Sequence, residues 1–101
     1  MDEIIFHITE KRFFEDQIAK GEYYSPTFQA EGFIHLSTKN QVEGTLKRYY
    51  AGAKGLVILQ IDSTKIQDNL KYEVASNGEL FPHIYGPIPE NAILIVEEIN
   101  T

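Results

Sequence analysis

Residues 31–41, with the sequence EGFIHLSTKNQ, carry the densest structural signal in the chain. After Gly32, the side chains of residues 33–37 alternate between two faces, a pattern typical of a short strand. Ile34 and Leu36 point to one face, which we predict to be the core. His35 points to the other face together with Phe33 and Ser37.

A helix start follows this strand directly. Thr38 and Gln41 have the spacing of a capping box, in which a hydroxyl and an amide satisfy free backbone N–H groups. The strand end with His35 and Ser37 therefore lies beside a helix N-terminus, whose partial positive charge attracts anionic groups. We predict a ligand site here.

The composition restricts the class of protein. A chain of 101 residues fits one domain, residues 1–101, with a single modest core. The hydrophobic content of 43% is typical of folded globular chains, and the net charge of −6 argues against an extended nucleic-acid surface. Because cysteine is absent, disulfides and thiolate metal sites are excluded.

The sequence also predicts the compartment. The first residues, Met1 to Glu3, are acidic and lead straight into an apolar run, so no signal peptide is expected. The longest apolar runs are far shorter than a membrane span. We therefore expect a cytoplasmic domain without a membrane partner.

Hydrophobic periodicity in the rest of the chain predicts further strands and two main helices. Strands are predicted at residues 4–8, 56–61, 72–74, 79–85 and 92–98. Helices are predicted at residues 10–20, with Thr9 as the cap, and at about 39–51, with an apolar stripe of Val42, Leu46, Tyr49 and Tyr50. The pair Asn77-Gly78 predicts a hairpin turn, and residues 65–70 suggest one short helical turn.

Residues 21–30 are predicted to form a loop, which carries two adjacent tyrosines. At least one of Tyr23 and Tyr24 needs burial, and the loop is expected to fold over a pocket.

The three histidines share one feature. Each is expected to point away from an apolar face of its own strand: His7 from Ile4, Phe6 and Ile8, His35 from Ile34 and Leu36, and His83 from Leu80, Pro82 and Ile84. This alternation predicts one cleft lined by three imidazoles and aromatic rings, which is typical of small-molecule sites. The alternative is that each histidine is an ordinary half-exposed residue on the outer face of a strand.

Three chemistries fit such a cleft. Three histidines could bind zinc in a metal-dependent hydrolase, but they lack local pairing in the sequence, and we predict no metal. Ser37 with His35 or His83 could form a nucleophile–base pair, although helix capping also explains Ser37. The third chemistry is nucleotide binding without a Rossmann or P-loop motif, since neither motif is present.

Nearly the full chain resembles a family of small bacterial domains of unknown function, numbered nine-fifty-two. The resemblance rests on Phe6-His7, on residues 31–37 followed by Gln41-Val42, and on residues 81–87, FPHIYGP. More distantly, the layout is similar to the tRNA 2′-phosphotransferases of the ADP-ribosyltransferase superfamily. The corresponding pieces are His7, residues 35–37, residues 44–53 and residues 56–62.

The second resemblance implies an α+β domain with an ADP-ribosyltransferase-like fold, in which two small antiparallel sheets form a split core and two main helices pack outside. It also implies NAD as cofactor, with His7 on a ribose, the Ile8 backbone on the nicotinamide amide, and His35 in the second-motif position. The chain departs from those enzymes because it has no winged-helix domain, no matched pair of arginines and no catalytic glutamate on the last motif.

We therefore expect binding of NAD or an ADP-ribose-containing small molecule, with processing of the ADP-ribosyl group as a further hypothesis. His35 would orient or polarise the substrate, and His83 would act as general acid or base. Ligand contacts are expected from His7, Ile8, Thr9, Tyr24, Phe33, Ser37, Thr38 and Tyr85. The alternative is a non-enzymatic acidic module that binds a protein through its tyrosine-rich surface.

Overall fold

The computed structural model describes residues 3–99. The strands of this part of the chain are β1 (Ile4–Glu10), β2 (Glu22–Tyr23), β3 (Ile34–His35), β4 (Leu56–Asp62), β5 (Leu70–Val74), β6 (Leu80–Ile84), β7 (Ile88–Pro89) and β8 (Ile93–Ile99). The helices are α1 (Lys11–Ile18), α2 (Phe28–Glu31) and α3 (Val42–Tyr49). Short 3-10 turns precede α3, follow β4 and precede both β5 and β8.

The described strands form three small antiparallel sheets, with the orders β1-β4-β8, β2-β7 and β3-β6-β5. This confirms an α+β domain with small antiparallel sheets, while the predicted number of two sheets was wrong. The sheet that the sequence did not predict is the β2–β7 ribbon. Its first strand, β2, lies within residues 21–30, which were predicted to form a loop.

The β1-β4-β8 sheet is covered on both faces, which is why β4 is a continuous apolar run. One face carries Ile5, Leu59 and Ile61 and forms the main core. The opposite face carries Ile8 and Ile58, and α3 packs against it. Both faces of β1 are therefore interior, and the face that carries His7 is the main core rather than an outer surface.

The two main helices differ from their predicted bounds. The first begins at Lys11 after Glu10, and Thr9 is a buried strand residue, so the predicted Thr9 cap was wrong. In α3 the predicted stripe holds for Val42 and Leu46, together with Tyr50 just beyond the helix. Tyr49 is 70% exposed, because only a narrow line of side chains at i, i+4 and i+8 meets the sheet.

The turns follow the local sequence closely. Asn77-Gly78 closes the β5–β6 hairpin as predicted, with the Glu79 N–H donating to Asn77 Oδ1 at 2.9 Å. Gly78 has a φ of 87°, in the left-handed region that favours glycine. Residues 63–69 contain two 3-10 turns where one helical turn was predicted.

The predicted loop at 21–30 contains β2 and most of α2. Tyr23 is fully buried, which confirms that one of the two tyrosines is interior. Among residues 3–99, no helix has both the length and the apolar character to cross a membrane.

The β1-β4-β8 and β3-β6-β5 sheets meet at one point. Phe6 and Ser37 form an isolated antiparallel bridge, with Phe6 N–H donating to Ser37 O at 2.8 Å and Ser37 N–H donating to Phe6 O at 2.7 Å. This bridge lies just beyond His35, so the orientation of β3 is set by its junction with β1.

The two residues of β3 should lose very different amounts of stability when each is replaced by alanine. Ile34 is fully buried in the main core, so Ile34→Ala should lower the free energy of unfolding by about 2–5 kcal/mol. His35 is exposed, and His35→Ala should change the free energy of unfolding by less than about 1 kcal/mol. Urea unfolding of both variants measures the difference, and equal losses would contradict this assignment of faces.

Candidate functional site

The segment that follows β3 folds as the sequence predicts. Ile34 and Leu36 are buried in the core. A capping box joins Thr38 and Gln41, with the Thr38 N–H donating to Gln41 Oε1 at 3.0 Å. It starts a 3-10 turn over Lys39–Gln41 that leads directly into α3. His35 therefore lies immediately before the sheet junction at Ser37 and the helical segment that starts at Lys39.

Two histidines meet on the outer face of the β3-β6-β5 sheet. His35 of β3 lies directly opposite His83 of β6, and their ring centroids are 5.0 Å apart. Phe33 stacks on His83 at 4.4 Å with an interplanar angle of 22°. Tyr85 completes the group, with its ring 5.3 Å from that of Phe33. We call Phe33, His35, His83 and Tyr85 the histidine cluster.

Each imidazole of the cluster has its own carboxylate. His35 Nε2 lies 3.1 Å from Glu31 Oε1, and His83 Nδ1 lies 2.7 Å from Glu73 Oε1. Tyr85 also donates its hydroxyl proton to Glu73 Oε1, at 2.5 Å. A carboxylate accepts hydrogen bonds, so these nitrogens carry the ring protons. In the neutral rings, His35 Nδ1 and His83 Nε2 are then hydrogen-bond acceptors.

The carboxylates are held in their charged form. A hydrogen bond from Thr27, followed by that from His35, lowers the pKa of Glu31 below its usual value. Hydrogen bonds from Tyr85 and then His83 lower the pKa of Glu73. The same contact raises the pKa of the Tyr85 hydroxyl, since its proton is shared with a carboxylate. The cluster therefore places two anionic groups beside an aromatic surface.

Sequence analysis did not identify Glu31 or Glu73 as site residues. Glu31 precedes His35 by four residues, a spacing in the quoted segment that could have indicated the contact. Glu73 gave no such signal, because it reaches His83 through the register of the β5–β6 hairpin. That register brings Glu73 opposite Phe81 and Lys71 opposite His83.

The third histidine does not open onto this surface, which corrects the prediction of one cleft lined by three imidazoles. The His7 side chain is only 6% exposed. Its Nδ1 donates to the His35 carbonyl oxygen at 2.7 Å, and its Nε2 accepts from the Tyr23 hydroxyl at 2.8 Å. Both ring nitrogens are thus used inside the protein. His7 supports the His35 backbone from the core side.

Most other predicted ligand residues lie away from the cluster. Ile8 is buried under α3, and Thr9 is buried with its hydroxyl bonded to Tyr23. Ser37 is buried, and its hydroxyl meets Thr45 Oγ1 at 3.2 Å, which favours its structural role over that of a nucleophile. Tyr24 packs edge-on against Phe28 at 4.8 Å. Of the predicted ligand contacts, the structure gathers Phe33 and Tyr85 with the two outer histidines.

A metal centre is not assembled in the described part of the chain. Within residues 3–99, no three histidine, aspartate or glutamate side chains are grouped so that they could hold an ion. The three histidines do not come together as the zinc alternative would require, because both ring nitrogens of His7 form internal hydrogen bonds.

The fold and the site together define a small α+β domain with a pair of carboxylate-bound histidines, of which His35 is exposed and His83 is mostly covered. The chain belongs to the family described as "protein of unknown function (DUF952)", whose sequence model matches residues 8–96. This confirms the resemblance to the family of that number. No curated protein matches the chain.

Solved structures with the same fold come from Caulobacter crescentus. The crystal structure of its protein CC0527 has 28% sequence identity and a TM-score of 0.90, over 96% of this chain and 86% of that one. A crystal structure of a double mutant of CC0527 gives the same values. The solution NMR structure of CC0527 has 27% identity and a TM-score of 0.84, over 98% of this chain and 86% of that one.

The buried His7 makes stability depend on pH. Burial lowers the pKa of His7 from 6.5 to about 4 in the folded state. Between these values the unfolded chain binds a proton and the folded one does not, so the free energy of unfolding falls as the pH falls. From pH 7 to pH 5 we expect a loss of about 2 kcal/mol from this group, measured by urea unfolding.

The matched control is His7→Phe, which keeps all other titrating groups. The free energy of unfolding of this variant should not show the fall of about 2 kcal/mol between pH 7 and pH 5. The difference between the two pH dependences therefore gives the contribution of His7. An NMR titration of the wild-type His7 ring gives an independent measurement. A midpoint near 6.5 for that ring would contradict the assignment.

Proposed function

We propose that this chain binds NAD or an ADP-ribose-containing small molecule at the histidine cluster. One observation carries the proposal: two imidazoles, each held by its own carboxylate, flank the Phe33 ring at the protein surface. The distant similarity to ADP-ribosyltransferases supports the class of ligand. Each part of the ligand has a chemical counterpart in the cluster or in Lys71 beside it.

The ribose is matched by hydrogen-bond acceptors. His35 Nδ1 and His83 Nε2 do not take part in the contacts with Glu31 and Glu73. In the neutral rings, both of these nitrogens accept hydrogen bonds. A ribose offers two adjacent hydroxyl donors. With ring centroids 5.0 Å apart, the imidazoles are close enough to engage one sugar.

Aromatic rings of the ligand are matched by Phe33 and Tyr85, which offer ring faces or edges for stacking. The phosphates are matched by Lys71, whose Nζ lies 5.3 Å from the centre of the Tyr85 ring. Lys71 thus brings positive charge to the edge of the cluster, where the carboxylates of Glu31 and Glu73 are negative. A ligand with sugar, base and phosphate therefore suits this surface better than a bare anion does.

The geometry also suits His83 for proton transfer. His83 Nδ1 donates its proton to Glu73 Oε1 at 2.7 Å, which fixes the ring orientation and leaves Nε2 as the nitrogen without this carboxylate contact. Processing of the ADP-ribosyl group, as transfer or hydrolysis, forms the second part of the proposal. His35 would position the sugar, and His83 would act as acid or base.

Thermal-shift and calorimetric titrations with NAD, ADP-ribose and nicotinamide test the binding. An ADP-ribose-containing ligand should raise the melting temperature of the wild type, because a ligand that binds only the folded state stabilises it. His35→Ala should weaken binding by about twofold to tenfold, the equivalent of one lost hydrogen bond between neutral groups of roughly 0.5–1.5 kcal/mol.

The control is Tyr49→Ala, which removes an exposed aromatic ring at the end of α3, outside the histidine cluster, and should leave affinity unchanged. No shift with any of the three ligands would overturn the proposal and favour the non-enzymatic interaction module. Release of nicotinamide from NAD, lost in His83→Ala, would support processing. Binding without release would limit the function to recognition.

A further inference from the structure

The outer edge of β8 exposes an unusual run of apolar side chains. Leu94 and Ile95 are each 50% exposed and Val96 is 44% exposed. Ile95 and Val96 are paired with Gln60 and Leu59, whereas Leu94 is the unpaired residue of a β-bulge. Val96 is opposite Leu59 in the register, and Leu59 is fully buried. The exposure therefore arises from the open edge of the sheet rather than from its faces.

This edge lacks most features that keep sheet edges from pairing. In the order β1-β4-β8, no strand of residues 3–99 pairs with the second side of β8. The strand contains no proline or lysine, and its one register irregularity is a single bulged residue, Leu94, opposite Gln60 and Ile61. Such an edge is a template for a further strand. The acidic residues Glu97 and Glu98 are confined to its C-terminal end.

The distribution of charge along β8 favours a second copy of this chain as the partner at the edge. An antiparallel second copy of β8, related by a two-fold axis at Ile95, would place Leu94 opposite Val96 and keep the two acidic ends apart. Each Glu97 would then lie opposite Ile93 of the other copy. Lys65 lies at that end of the strand, where its Nζ donates to the Asn91 carbonyl oxygen at 3.2 Å. A cation is thus available near the acidic end of the second strand.

We propose that two copies of this chain associate through antiparallel pairing of their β8 strands, forming a continuous six-stranded sheet. The apolar centre supplies the contact, and Lys65 with Glu97 of the second copy supplies charge complementarity at both ends. The histidine cluster lies on the β3-β6-β5 sheet and takes no part in this interface.

Sedimentation velocity over a range of concentrations tests the association. The wild type should show a concentration-dependent dimer, and Ile95→Lys should raise its dissociation constant by about tenfold or more, since charge on an edge strand opposes pairing. Val74→Lys is the matched control, because Val74 is an apolar strand residue that is 70% exposed and lies in the β3-β6-β5 sheet. It should leave the dimer unchanged.

A charge exchange tests the register. Lys65→Glu should weaken the dimer, and Glu97→Lys in the same chain should restore it. Amide hydrogen exchange gives a reading that needs no variant: exchange at residues 93–99 should slow as the concentration of the wild type rises. A wild type that stays monomeric at millimolar concentration, or an Ile95→Lys variant that associates as the wild type does, would overturn the proposal.

Discussion

A buried imidazole links the two larger sheets and sets the position of the candidate site. The hydrogen bond from His7 Nδ1 to the His35 carbonyl joins β1 to β3 from within the core. The Phe6–Ser37 bridge makes the same connection through the backbone, two residues further along. Because both contacts are buried or backbone-mediated, β3 is fixed although it is only two residues long. The exposed His35 side chain is presented by a backbone that cannot shift easily.

The burial of His7 has a chemical consequence for the region around it. Its ring remains neutral because the surroundings disfavour charge, which lowers its pKa to about 4. The Tyr23 hydroxyl that donates to His7 is itself buried, and burial raises its pKa. The support behind the histidine cluster is therefore an uncharged network, and the ionised groups, Glu31 and Glu73, lie on the outer side.

Two surfaces of the molecule are thus separated by the fold. The β3-β6-β5 sheet carries polar and aromatic side chains suited to a small ligand, while the β1-β4-β8 sheet ends in an open apolar edge. In the proposed dimer the two uses do not compete, since the β8 edge and the histidine cluster belong to different sheets. Binding at one surface could then be measured independently of association at the other.

The sequence by itself determined the local features. Strand alternation around Ile34, the Thr38–Gln41 capping box and the Asn77-Gly78 turn were predicted correctly, because each depends on residues within a few positions of one another. Alternation also placed His35 and His83 correctly on the sides of their strands opposite Ile34 and Ile84.

Tertiary structure decided the features that depend on distant pairing. Alternation could not show that both faces of β1 are covered, so His7 was assigned to a surface when it lies in the core. Nor could it show that the hairpin register carries Glu73 to His83, or that β8 ends the sheet with its apolar residues uncovered. Local patterns fix which way a side chain points, but only the packed neighbours decide whether that direction leads to solvent, to core or to a partner.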